Sequence, residues 1–187
     1  MSKNLTVWLE AAIMGALASV LSLIPLGVGW FSVSVGSIAL VVYALRRGFI
    51  PGLVAGLIWG LMHFALGNVY YLSVPQVLIE YVLAFMSVGF AGLLSAPFLA
   101  AIRRKQTGQA FFYAVMATVL GIGIRYIWHY IAGFLFWGSY APEGQSPYLY
   151  SLIVNGSAGL MTGAFVIVLL FLLIQTGPKI FLVGNNK

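Results

Sequence analysis

The chain has 187 residues, of which 62% are hydrophobic and 6% charged, against roughly a quarter charged in soluble domains, so a water-soluble fold is excluded. The formal net charge is +6, but the basic residues are scattered between apolar segments and form no stripe with interleaved aromatics, which argues against nucleic acid. With no cysteine, disulfides, thiolate metal sites and cysteine nucleophiles are excluded as well.

A membrane-spanning helix needs about 20 apolar residues, so a chain of this length accommodates roughly six or seven joined by short loops. Apolar runs between charge and turn punctuation predict spans at Leu5–Ile24, Gly36–Leu45, Pro51–Leu66, Pro75–Leu99, Ala110–Trp137 and Tyr148–Gln175. The first run is too long for a signal-peptide core and lacks a clear cleavage site, so it reads as a retained span. The second and third are short and separated only by "RRGFIP". Neither an internal repeat nor a low-complexity linker interrupts the series, and the expectation is one all-α integral membrane domain, residues 1–187, with six transmembrane helices.

Lysine and arginine in short loops stay on the cytoplasmic side. With six spans, Lys3, Arg46, Arg47, Arg103, Arg104, Lys105, Lys179 and Lys187 all fall on one side, which predicts that both termini are cytoplasmic; the ninth basic residue, Arg125, lies inside a span. The opposite loops, around "PLGVGWFSVSV", "GNVYYLS" and "GSYAPEGQSP", carry no lysine or arginine and are rich in glycine, serine and aromatics, as a cover over a pocket would be.

Ionisable groups inside spans cost roughly 2.5–3.5 kcal/mol on insertion scales, so each calls for a reason. Glu10 is close enough to the inner interface to reach it, and a lone His63 reads as a packing residue. Glu80 lies five residues past Pro75, about 7–8 Å below the outer end of its helix at ~1.5 Å per residue. His129 and Asn155 come out at similar depth on two other helices. Trp30, Tyr70, Tyr71, Tyr81, Trp137, Tyr140, Tyr148 and Tyr150 all map to the outer third or its loops, whereas an ordinary interfacial belt would populate both faces.

A buried carboxylate among tryptophan and tyrosine faces suits an organic cation, each ring face contributing ~0.5–2 kcal/mol. The competing reading is that Glu80 pairs with Arg125 as structural glue, although Arg125 lies deeper and side chains on the two oppositely running helices lean apart. Arg125, His129 and Gly133 recur at every fourth position and share a face. Gly133 there serves either close approach of a flat ligand or helix packing. On the first span Ala11, Ala12, Gly15, Ala16 and Ser19 make small-xxx-small patterns that permit close helix approach, within the bundle or to another membrane protein.

The run "IWHYIAGFLFWGSYAPEGQSPYLYSLIVNGSAG" from Ile127 to Gly159, with "IEYVLAF" from Ile79 to Phe85, resembles the thiamine-specific substrate-binding subunit, or S component, of energy-coupling factor (ECF) transporters. The resemblance extends over the whole chain. It implies a thiamine-binding subunit, not an enzyme, in a prokaryotic plasma membrane, with no cofactor and no catalytic or metal site of its own. It also implies a membrane coupling subunit and two cytoplasmic ATPase subunits as partners. Carried over residue by residue, it sets Glu80 against the positive ring and amino group, with Trp137 and His129 stacked on the rings. Tyr81, Tyr150 and Asn155 become hydrogen-bonding groups, Gly133 pocket wall and Trp30 a lid on the first outer loop. Tyr70 is the contact from the second outer loop, with Tyr71 an equal candidate, and Ala12 and Ala16 are the surface that docks the coupling subunit.

Other classes fit less well. An ATPase is disfavoured by the absence of a G-x-x-x-x-G-K-[ST] loop. Ser157, in "NGSAG", lacks the G-x-S-x-G elbow of a serine hydrolase, and both histidines precede it. An ion-coupled carrier using Glu80 and His129 as a relay would show paired broken helices in two halves. An S component for riboflavin or biotin would have less need of a buried carboxylate.

Overall fold

The structure, a computed structural model, describes residues 3–28 and 31–183. Among them six helical rods run back and forth: α1 (Lys3–Leu21), α2 (Ser37–Arg47), α3 (Phe49–Ala65), α4 (Val74–Arg103), α5 (Thr107–Phe136) and α6 (Pro147–Thr176). Each boundary falls within four residues of its sequence-derived span. α1, α4, α5 and α6 are long and apolar enough to cross a bilayer, and the chain is a multi-pass membrane protein.

The short second run is short for a reason. α2 has 11 residues, about 16 Å of helix, and its whole length from Ala39 to Leu45 is buried. It is the bundle's central strut, so its apolar character comes from packing on protein and not from facing lipid. An antiparallel hairpin, β1 (Leu26–Val28) on β2 (Phe31–Val33), within the segment expected as the first outer loop of an all-α chain, leads into it. The hairpin's exit is fixed to the bundle where the Ser34 amide donates to Thr162 Oγ1 of α6 at 3.0 Å.

At the opposite end the basic turns gather. Glu10 of α1 accepts from Arg47 at 2.6 Å and from Arg46 at 3.5 Å, Arg46 also donates to the Leu182 carbonyl at 3.1 Å, and Tyr43 Oη donates to the Val7 carbonyl at 2.6 Å. The start of α1, the end of α2 and the end of the described chain therefore share one face.

α3 and α4 approach through glycine. A Cβ at Gly56 would meet the Phe85 carbonyl, one at Gly60 the Tyr81 carbonyl, and one at Gly52 would come within 3.0 Å of Gly89 Cα. These residues repeat every fourth position, the small-residue spacing that lets membrane helices touch backbone to backbone. α4 itself is not uniform: Leu78–Leu83 is a π-helical turn and Val88–Leu94 a 3-10 stretch, with α-helical segments between and after them. Pro97, in the first turn of the terminal segment Ser95–Arg103, lacks the amide that an uninterrupted helix would need there.

Candidate functional site

The outer half of α4 is organised around its cap. Ser73 Oγ accepts from the Gln76 amide at 3.3 Å with Pro75 in the first turn, a favourable helix start. Gln76 is fully buried; its Oε1 accepts from the Leu72 amide at 3.1 Å and its Nε2 donates to Glu80 Oε2. The second carboxylate oxygen, Oε1, accepts from Trp137 Nε1 on α5 at 3.0 Å. Both donors to Glu80 are neutral, so the half-buried carboxylate is held in place while its charge stays without a counter-charge. It sits in the π-helical turn, which holds an extra residue and is frequent at functional sites.

On α5, Arg125, His129, Gly133 and Trp137 follow one another at every fourth position along one face. The His129 ring lies 6.2 Å from Phe85, edge on, and 5.5 Å from Tyr126. Gly133 faces α6: a Cβ there would collide with Ser151 Oγ and come within 2.8 Å of Asn155 Nδ2. Ser151 Oγ donates to the Tyr130 carbonyl at 2.8 Å and accepts from Asn155 Nδ2 at 3.1 Å, which locks α6 against α5 at this level.

Two chambers open between these helices. The smaller, about 210 Å³, is lined by Glu80, Gly133, Trp137, Tyr150 and Asn155, five of the residues singled out in the sequence. The larger, about 530 Å³, lies against the hairpin and is lined by His129, Asn155, Arg125 and His63 together with Trp59 and Phe85. Asn155 and Val154 stand in the walls of both, so the two form one divided site of the size and mixed polarity of a small-molecule pocket.

The remaining expected residues fall around it. Tyr70 is exposed, with its ring 5.0 Å from Trp137, and its amide donates to Tyr81 Oη at 2.9 Å. Tyr71 is also exposed; of the two, Tyr70 is the one whose ring packs on Trp137. Tyr81 stacks on Phe85 at 6.2 Å and 7° beside the chambers, its hydroxyl engaged by the loop amide. Tyr140 lies 5.5 Å from Trp137, and its hydrogen bond with Tyr70 pushes its hydroxyl above the usual tyrosine range. Trp30 lies outside the described residues. On α1, Ala12 and Ala16 are exposed, while Ala11, Gly15 and Ala18 turn inward and Gly15 lies close against Ile58 of α3.

Two residues that sequence reasoning passed over stand in the site. His63 lines the larger chamber, its Nδ1 3.0 Å from the Trp59 carbonyl and its ring 4.5 Å from Phe85, so it is at once a packing residue and a wall. Gln76, one turn before Glu80, had a usable signal: an amide four residues from a carboxylate on a helix face. Arg125 does not pair with Glu80. Its Nη1 donates to Ser34 Oγ and Ser37 Oγ, each at 2.8 Å, and its guanidinium lies 4.5 Å from the Phe85 ring and 4.7 Å from the Trp59 ring.

Residues 8–182 match the family model described as Thiamine transporter protein (Thia_YuaJ). Among curated proteins, the chain is 38% identical over 190 residues to "Thiamine transporter ThiT" of Lacticaseibacillus paracasei, covering 99% of this chain and 94% of that one. It is 34% identical over 188 residues to the ThiT of Bacillus subtilis, covering 96% and 95%. A solved structure of ThiT from Listeria monocytogenes superposes with a TM-score of 0.94 at 42% identity, over 97% of this chain and 100% of that one.

Proposed function

The chain belongs to the thiamine transporter protein family, and on that premise we propose that it captures thiamine in the divided outer site and delivers it as the S component of an ECF importer. The observation that carries the ligand assignment is the Glu80 carboxylate, oriented by Gln76 and Trp137 yet lacking a counter-charge, beside the ring faces of Trp137, Tyr140 and Tyr150. Truncating or leaving alone one member of a buried charge pair is costly, and a permanent cation supplies the missing member. Thiamine carries one in its thiazolium ring. The two rings of thiamine stack on Trp137 and His129, while Asn155 at the boundary of the two chambers and Tyr150 in the smaller one offer directional hydrogen bonds. Gly133 leaves room for a flat heterocycle, and Tyr70 and Tyr81 together hold the second outer loop against Trp137.

Uptake requires an engine, since the sequence contains no phosphate-binding loop. We assign that role to a membrane coupling subunit with two cytoplasmic ATPases, docked on the exposed small residues Ala12 and Ala16 of α1. The direct test is calorimetry of the purified chain with thiamine: one site and no ATP hydrolysis are expected. Absence of heat with thiamine, together with binding of a different vitamin, overturns the ligand assignment and leaves the fold intact.

A further inference from the structure

Residues 69–72 of the second outer loop make no backbone–backbone hydrogen bond among the described residues. Two side chains of α4 take the loop's amides instead: Tyr81 Oη accepts from Tyr70 at 2.9 Å, and Gln76 Oε1 accepts from Leu72 at 3.1 Å. Gln76 also reaches the carboxylate, its Nε2 donating to Glu80 Oε2. Its amide is directional, since the oxygen only accepts and the nitrogen only donates. With Oε1 taken by the loop, Nε2 faces Glu80; the flipped amide would set donor against donor at Leu72 and acceptor against acceptor at Glu80. Gln76 is fully buried, so solvent cannot replace either bond. A second route joins the same two parts: the Tyr70 ring lies 5.0 Å from that of Trp137, whose indole donates to the other carboxylate oxygen at 3.0 Å.

Both oxygens of Glu80 thus receive donors that stand one step from the same loop. We infer that Gln76 is a positioning residue that couples the second outer loop to ligand recognition. The seated loop turns Gln76 Nε2 toward Glu80, and a ligand that needs the oriented carboxylate binds the seated loop in preference. By linkage the coupling runs both ways: occupancy at Glu80 holds the loop, and the loop favours occupancy. The inference deepens the thiamine reading above and rests on it for the ligand.

The test combines thiamine titration of the intact purified chain with hydrogen exchange of the Leu72 amide, resolved by NMR. In the unaltered protein, saturating thiamine should slow that exchange. Gln76→Leu keeps a buried side chain of similar bulk and removes both bonds; thiamine should bind roughly tenfold more weakly or worse, the order expected for a hydrogen bond to a charged group, and should no longer slow exchange at Leu72. Because Gln76 acts through the carboxylate, the same substitution made in Glu80→Gln should cost less than about twofold in affinity. If Gln76→Leu weakens thiamine by one factor on both backgrounds, Gln76 only fills space and the inference fails. Should Gln76→Leu not fold, the unaltered protein still decides: thiamine that binds yet leaves Leu72 exchange unchanged overturns the coupling. Failure of thiamine to bind at all overturns the underlying reading, and the inference with it.

Discussion

The indole Nε1 of Trp137 donates a 3.0 Å hydrogen bond to Oε1 of Glu80, joining the outer end of α5 to the π-helical turn of α4. One aromatic residue thus orients the carboxylate while its ring forms part of the same wall. The two roles separate by substitution. Trp137→Phe keeps a ring and removes the donor; hydrogen bonds to charged groups contribute about 1.5–3 kcal/mol, so thiamine binding should weaken roughly tenfold or more. Titration calorimetry of the variant checks this, and an unchanged dissociation constant would show that the bond does not matter to the ligand.

Gly60→Ala tests the contact of α3 with α4. The added methyl meets the carbonyl oxygen of Tyr81, which belongs to the same π-helical turn as Glu80. Overpacking of this kind costs typically about 1–3 kcal/mol. The thermal midpoint of the purified protein should fall, and thiamine affinity should fall with it because the site's own backbone is displaced. A variant with native midpoint and affinity would mean that the two helices part without consequence.

Replacing both Ala12 and Ala16 by leucine should leave thiamine binding at its native strength and abolish uptake in cells that contain the coupling subunit and ATPases. Both alanines are exposed on α1, whereas Ala11, Gly15 and Ala18 form the inward ridge, so larger side chains project outward into whatever docks there. Joint loss of binding and uptake would identify the pair as internal packing.

How much of this was legible in the sequence follows from where each signal resides. The helices were legible because basic turns such as Arg46–Arg47 and Arg103–Lys105 interrupt otherwise apolar runs, and bilayer thickness fixes what a run must be. Glu80, His129 and Asn155 were legible because distance along a helix translates directly into depth, and the structure brings all three to the walls of the divided site. The π-helical turn was not, because its i to i+5 pairing has no residue signature. The partners of Arg125 were not either: Ser34 and Ser37 lie 91 and 88 residues away, on the hairpin's exit and the start of α2, and only tertiary packing brings them together. The pairing of Glu10 with Arg46 and Arg47 was hidden in the same way. The glycine repeat Gly52, Gly56 and Gly60 has the same four-residue spacing as the small residues of α1, and spacing alone does not say which such ridge meets a neighbouring helix.

The central claim is that Glu80 recognises a positive charge, and the measurement that tests it most directly is a double cycle of two proteins and two ligands. Glu80→Gln preserves size and hydrogen-bonding reach and removes the charge. It should weaken thiamine by at least the ~1.4 kcal/mol that equals a factor of ten, and by about 2–5 kcal/mol if the pair is fully desolvated. A thiamine analogue with the cationic ring replaced by a neutral one should lose much less affinity on the same substitution, leaving a coupling energy between carboxylate and ring charge. Equal weakening of both ligands would contradict the account and reduce Glu80 to a hydrogen-bond acceptor for Trp137 and Gln76.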